Sequence, residues 1–172
     1  KAGYRRIVLE LGGNDPIIVM DDADLDEASS LAVQGSYKNS GQRCTAVKRM
    51  LVHQAVADQF VEQVVAKTRA WSYGDPADRT LDMGCVIDEA AARFFESRVN
   101  EAVAQGARLL VGNQRRGALY SPTVIDHVAT AGSISGDDGA PDGRGLEQRF
   151  GHTLSVRRQT DDRRLREHLC HV

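Results

Sequence analysis

Two side chains in this sequence could do covalent chemistry, and each stands where that chemistry would be favoured. Cys44 lies in Asn39-Ser40-Gly41-Gln42-Arg43-Cys44-Thr45, after a helical pattern ends and before a strand pattern begins. Loops at element ends display reactive groups, and a neighbouring cation, here Arg43, favours the nucleophilic thiolate. The plainer reading is an inert, packed thiol, as most isolated cysteines are. Glu10 sits in Leu9-Glu10-Leu11-Gly12-Gly13, at the end of an apolar run. An unpaired carboxylate is costly to bury, so such a group holds its proton longer and can serve as a general base. Its plainer reading is a carboxylate facing solvent or bonded to the amides of the glycine turn. Gly12-Gly13 lets a second group approach the backbone closely. A soft nucleophile with a half-buried carboxylate suits transfer of an acyl group to water.

The elements that must position these groups alternate. Residues 6–11 (RIVLEL) and 15–20 (DPIIVM) read as short buried strands. A helix is expected over about 24–39, with acids near its start and Leu25, Ala28, Leu31 and Ala32 on its apolar face. A strand follows over about 47–53 and a helix over about 55–71, closed by Gly74-Asp75-Pro76. A second amphipathic helix over 88–105 ends at Gly106, and strands are expected over 107–112 and 119–125. Strands alternating with helices of this length predict a largely parallel α/β sheet. Near residue 129 the texture changes: residues 129–145 hold five glycines and almost no large apolar group, a loop-like composition.

The 172 residues suffice for one ordinary domain. A net charge of −2 gives no general drive toward nucleic acid or an anionic membrane surface. No run of 18 apolar residues suggests a membrane span. Three cysteines (Cys44, Cys85, Cys170) make a sparse, odd set, so a reducing cytoplasm is the default location. His168, Cys170 and His171 carry metal-capable atoms, but a metal site needs three or four converging ligands, and no metal is expected. The first residue is Lys1, not methionine, which is expected of a piece of a longer protein.

Leu9-Glu10-Leu11-Gly12-Gly13-Asn14 and Gly41-Gln42-Arg43-Cys44, with Glu10 and Cys44 34 residues apart, together resemble the two signatures of the aldehyde dehydrogenase superfamily. The likeness runs on to Ser121-Pro122-Thr123-Val124 and covers about residues 3–128. It implies a partial aldehyde dehydrogenase-like catalytic domain, α/β, with a mostly parallel sheet flanked by helices, over 1–128. Residues 129–172 are then an irregular or divergent tail, readable as a frameshift. The resemblance further implies Cys44 as nucleophile, Glu10 as the base that activates water, and NAD or NADP as cofactor, with Leu11 and Gly12 near its nicotinamide. A dimeric or tetrameric parent protein is also implied. Gly41 to Arg49, with Gly35 to Ser40 and Trp71 to Pro76, looks like members acting on phosphonate- or phosphate-bearing aldehydes, phosphonoacetaldehyde dehydrogenase among them. Arg43 would then bind the anion of a small anionic aldehyde substrate. Its plainer role is a bond to a structural partner.

The chain also departs from the family. Glu147-Gln148-Arg149-Phe150-Gly151-His152 matches only in part the motif whose second acid binds the nicotinamide ribose, which puts Gln148 in that place. No Gly-rich phosphate turn follows a strand. An inactive remnant that keeps the fold core, and a cysteine hydrolase pairing Cys44 with a histidine, are the competing readings.

Overall fold

The computed structural model describes residues 6–8, 13, 15–128 and 153–159. Among these residues, seven strands and three α-helices follow in the order β1 (Asp15–Val19), α1 (Leu25–Tyr37), β2 (Val47–His53), α2 (Ala57–Ala70), α3 (Glu89–Ala104), β3 (Arg108–Val111), β4 (Arg115–Arg116), β5 (Leu119–Tyr120), β6 (Thr123–Asp126) and β7 (Thr153–Gln159). Five strands form one sheet in the order β1-β2-β7-β6-β3; β4 and β5 make a separate hairpin. The β1–β2, β2–β7 and β7–β6 pairs are parallel, and only the edge strand β3 runs antiparallel. The α/β class and the mostly parallel sheet expected from the sequence are those of the structure.

Two of the three helices, α1 and α3, start where the sequence supplies a capping side chain. The Asp24 carboxylate accepts from the amides of Asp26 and Glu27 at 3.0 and 3.1 Å, and Asp88 accepts from Ala91 N at 2.7 Å. In α2 the dipole is matched by Asp58 in the first turn and Lys67 and Arg69 in the last. Successive residues of β6 face opposite ways. Val124 joins Met50, Val52 and Val156 under α1 and α2, through Val33, Tyr37, Phe60 and Val64. Ile125 packs instead with Val99 and Ala102 of α3. The helices therefore cover both faces of the sheet.

Three expectations need correction. Residues 6–8 form no strand, and Ile7 and Val8 are exposed; residues 9–12 lie outside the described set. On α1, Ala32 is buried and Leu25 and Ala28 pack against the core as expected, but Leu31 turns outward and Ser29, Val33, Ser36 and Tyr37 complete the buried face. Small residues win that face because the helix end sits hard on β2: Ser36 Oγ donates to Val47 O at 2.6 Å. A Cβ on Gly35 would meet Val47 Cγ2 at 2.8 Å. The run 119–125 is two strands, because Ser121 and Pro122 interrupt it between β5 and β6. Beyond residue 128, where the sequence pattern fades, β7 occupies the middle of the sheet between β2 and β6. The rest of 129–172 lies outside the described residues.

Candidate active site

Parallel pairing brings Gly13 of the first sequence motif and the cysteine loop of the second to one end of the sheet. Asp15 pairs with Val47 at the start of both strands. Gly13 stands two residues before β1 and Cys44 three residues before β2, so the register carries both to the same, amino-terminal end. There the Gly13 α-carbon packs against the Cys44 carbonyl; a Cβ on Gly13 would overlap that oxygen. The residue is glycine because the backbones approach too closely for any side chain.

The loop that carries Cys44 is built on strained backbone. Asn39, Ser40 and Gly41 are all left-handed, at φ 53°, 56° and 65°. Left-handed non-glycine residues cost of order 1–3 kcal/mol each and persist where their surroundings over-determine them. Here the bonds are visible. Ser40, buried, donates through Oγ to Gly84 O at 3.1 Å. Asn39 Nδ2 donates to Gln42 O at 3.2 Å, and Gln42 Oε1 accepts from Ile87 N at 2.9 Å. The turn is thus pinned to the 84–87 segment, and Cys44 emerges beyond it on an exposed loop.

Arg43 is half-buried and turns back toward α1, where its Nη2 donates to Gly35 O at 2.8 Å. The guanidinium thereby satisfies a carbonyl near the helix end. Its Nε is buried and has no partner among the described residues.

Lys48 is the functional candidate the sequence reading passed over. It is 0% exposed, although lysine is almost never fully buried unless paired. Its Nζ donates to Gly13 O at 2.6 Å. The sequence gives little sign of it, because Lys48 stands beside Arg49 in a strand that runs Val47-Lys48-Arg49-Met50-Leu51-Val52-His53.

Glu10, Leu11, Gly12 and Gln148 lie outside the described residues, as does the His168–His171 stretch. Cys85 is half-buried. Among the described residues, no group of three or more His, Cys, Asp or Glu side chains could hold a metal ion. No helix among them is long and apolar enough to cross a membrane. A groove of about 480 Å³ beside the β4–β5 hairpin is lined by Tyr73, Gly74, Gln114, Arg115, Arg116 and Leu119, and neither Cys44 nor Arg43 borders it.

The profile of the aldehyde dehydrogenase family matches residues 1–138, most of the chain and both motifs. The chain belongs to the aldehyde dehydrogenase family. It is 40% identical over 133 residues to sulfoacetaldehyde dehydrogenase of Neptuniibacter caesariensis, covering 77% of this chain and 29% of that protein. It is 45% identical over 129 residues to NADP-dependent glyceraldehyde-3-phosphate dehydrogenase of Streptococcus equinus, covering 75% and 27%. Among solved structures, the NADP complex of glyceraldehyde-3-phosphate dehydrogenase from Methanocaldococcus jannaschii superposes with a TM-score of 0.81 at 33% identity, covering 94% of this chain and 33% of that one. The chain spans less than a third of the length of the curated aldehyde dehydrogenases it matches.

Proposed function

We propose that this chain carries the nucleophile and base of an NAD(P)-dependent dehydrogenase that oxidises a small anionic aldehyde to its carboxylic acid. The observation that carries this reading is the contact between Gly13 and the Cys44 carbonyl. It puts Gly13, three residues after Glu10 in sequence, against the cysteine loop.

In this account the Cys44 thiolate adds to the aldehyde carbonyl and forms a thiohemiacetal. NAD or NADP, when bound, supplies the hydride acceptor. Loss of hydride leaves a thioester on Cys44. Glu10 takes a proton from water, the hydroxide attacks the thioester carbonyl, and the acid leaves as the thiol returns. Leu11 and Gly12 would stand by the nicotinamide, and Gln148 by its ribose. The starts of α1 and α3 do not suit the cofactor's phosphates, because Asp24 and Asp88 already place carboxylates on their amino-terminal amides.

Arg43 is proposed to meet the substrate's anion. Its buried Nε, without a partner among the described residues, supports that role, since a desolvated donor gains most from a charged acceptor. So do the sulfonate- and phosphate-bearing aldehydes named for the two relatives. Phosphonoacetaldehyde belongs to the same chemical class. The test is an assay of the gene product with NAD and NADP against sulfonate-, phosphonate- and phosphate-bearing aldehydes and uncharged analogues of equal length. Turnover confined to the charged set supports the reading. Turnover of the uncharged set alone removes the substrate proposal and leaves the mechanism, whereas a folded protein with no aldehyde turnover points to a remnant that keeps the fold.

A further inference from the structure

A fully buried lysine in the described core stands directly behind the cysteine loop. Lys48 lies four residues after Cys44, at the start of β2. There the β1–β2 register slips: Asp15 pairs with Val47, but the next residue, Pro16, pairs with Arg49. Lys48 is the extra residue of that bulge. Bulges re-aim side chains and recur beside active sites. This one leaves Lys48 0% exposed, with its ammonium on the Gly13 carbonyl at 2.6 Å. The same Gly13 touches the Cys44 backbone. The Gly13 residue is therefore held between the loop of the proposed nucleophile and a buried cation, three residues from Glu10 in sequence.

We propose that Lys48 is a positioning residue for hydrolysis of the thioester. By holding the Gly13 carbonyl at the bulge, it fixes Gly13, three residues after Glu10 in sequence, relative to Cys44. Attack on the aldehyde needs only Cys44 and the substrate in place. Delivery of water needs the Glu10–Cys44 spacing as well, and small misplacements of reacting groups are costly. Lys48 therefore acts selectively on the second half of the reaction. The buried cation has a further reason to be there: a carbonyl that bonds a charged donor is held more firmly than one that bonds a neutral amide. This inference rests on the reading of Glu10 as the base and Cys44 as the nucleophile.

The experiment compares the protein with its Lys48→Met and Lys48→Arg variants by two independent readouts. The first is hydrogen exchange of the 172-residue chain without substrate. Lys48→Met is expected to speed exchange at least tenfold in the peptide containing Gly13 and to leave β3 and β6 unchanged, with Lys48→Arg intermediate. Unchanged exchange around Gly13 overturns the clamp whatever the enzyme does. The second is rapid-mixing kinetics of the gene product with aldehyde and NADP or NAD. Lys48→Met is expected to keep its initial burst of reduced cofactor, which also reports that it is folded, and to lose at least tenfold in steady-state rate. Lys48→Arg should recover part of that rate. Equal loss of burst and steady-state rate, or loss of neither, overturns the assignment to hydrolysis. Faster exchange in a protein whose wild type shows no burst at all would instead retire the catalytic reading itself, and with it the assignment of Lys48 to hydrolysis, leaving only the clamp.

Discussion

The α-carbon of Gly13 rests against the carbonyl oxygen of Cys44, with no room for a side chain between them. Two segments remote in sequence meet there because β1 and β2 run parallel and start in register. The proposed site stands at the amino-terminal end of these strands. Open α/β sheets more often place ligands at the other edge. Strain in the 39–41 turn and the close backbone contact together present Cys44 as the exposed end of an otherwise fixed loop.

Substituting Gly13 with alanine should therefore damage both fold and site. The new methyl group overlaps backbone rather than a flexible side-chain tip, so the cysteine loop must move. Overpacking of this kind costs about 1–3 kcal/mol. Urea unfolding of Gly13→Ala should show the midpoint fall with the slope unchanged, and alkylation of Cys44 should change in rate. An unaltered midpoint and rate would mean that the contact constrains nothing.

Arg43 joins two roles that a single variant can separate. Its bond to Gly35 O belongs to the fold, and its proposed bond to the substrate anion belongs to specificity. Arg43→Lys keeps a charge but loses the planar fork. A lost hydrogen bond to a charged group is worth about 1.5–3 kcal/mol, roughly 10–100-fold in KM for the charged aldehyde. An uncharged analogue of the same length should keep its KM. Steady-state kinetics on both substrates check this, and equal changes in the two would assign Arg43 to structure alone.

Tyr37 joins α1 to the sheet: its hydroxyl donates to Thr123 O at 3.1 Å and lies 3.4 Å from Thr68 Oγ1. Tyr37→Phe should cost about 1–2 kcal/mol, since it leaves a buried carbonyl short of a donor. Burial, the largest cause, pushes the Tyr37 hydroxyl well above its ordinary range, against the lowering by its bond to Thr68. The folded chain thus keeps this proton where the unfolded chain loses it. Its contribution is fully present below a pH of about 10 and is lost as pH rises above that value. Urea midpoints measured from pH 8 to 11 should fall steeply in the wild type and less steeply in Tyr37→Phe. Parallel curves would show that Tyr37 does not govern alkaline unfolding.

The sequence carried the positions of the helices well and their buried faces less well. Asp24 and Asp88 are caps that can be read directly, and α1 and α3 start just after them. The end of α1 was hidden because two of the three left-handed residues that follow it, Asn39 and Ser40, are not glycine. Its packed face was hidden because Ser29 and Ser36 lie inward while Leu31 lies outward. β7 was missed because Thr153-Leu154-Ser155-Val156-Arg157-Arg158-Gln159 has only two large apolar residues and follows a stretch of loop-like composition. At the proposed site, the spacing of Glu10 and Cys44 was legible as a motif; of its first half the structure describes Gly13, which a strand-helix-strand unit with a parallel register brings to Cys44. Lys48 was not legible, because a lysine in a strand ordinarily reads as a surface residue.

The central claim is that Cys44 carries the acyl group. The most direct test mixes the gene product with an anionic aldehyde and NAD or NADP, quenches in acid within the first turnover, and maps the adduct by peptide mass spectrometry. The account predicts one acyl group per chain on the peptide containing Cys44, formed in step with reduced cofactor and absent in Cys44→Ser. An acyl group on Cys85, or undiminished turnover in Cys44→Ser, would contradict it.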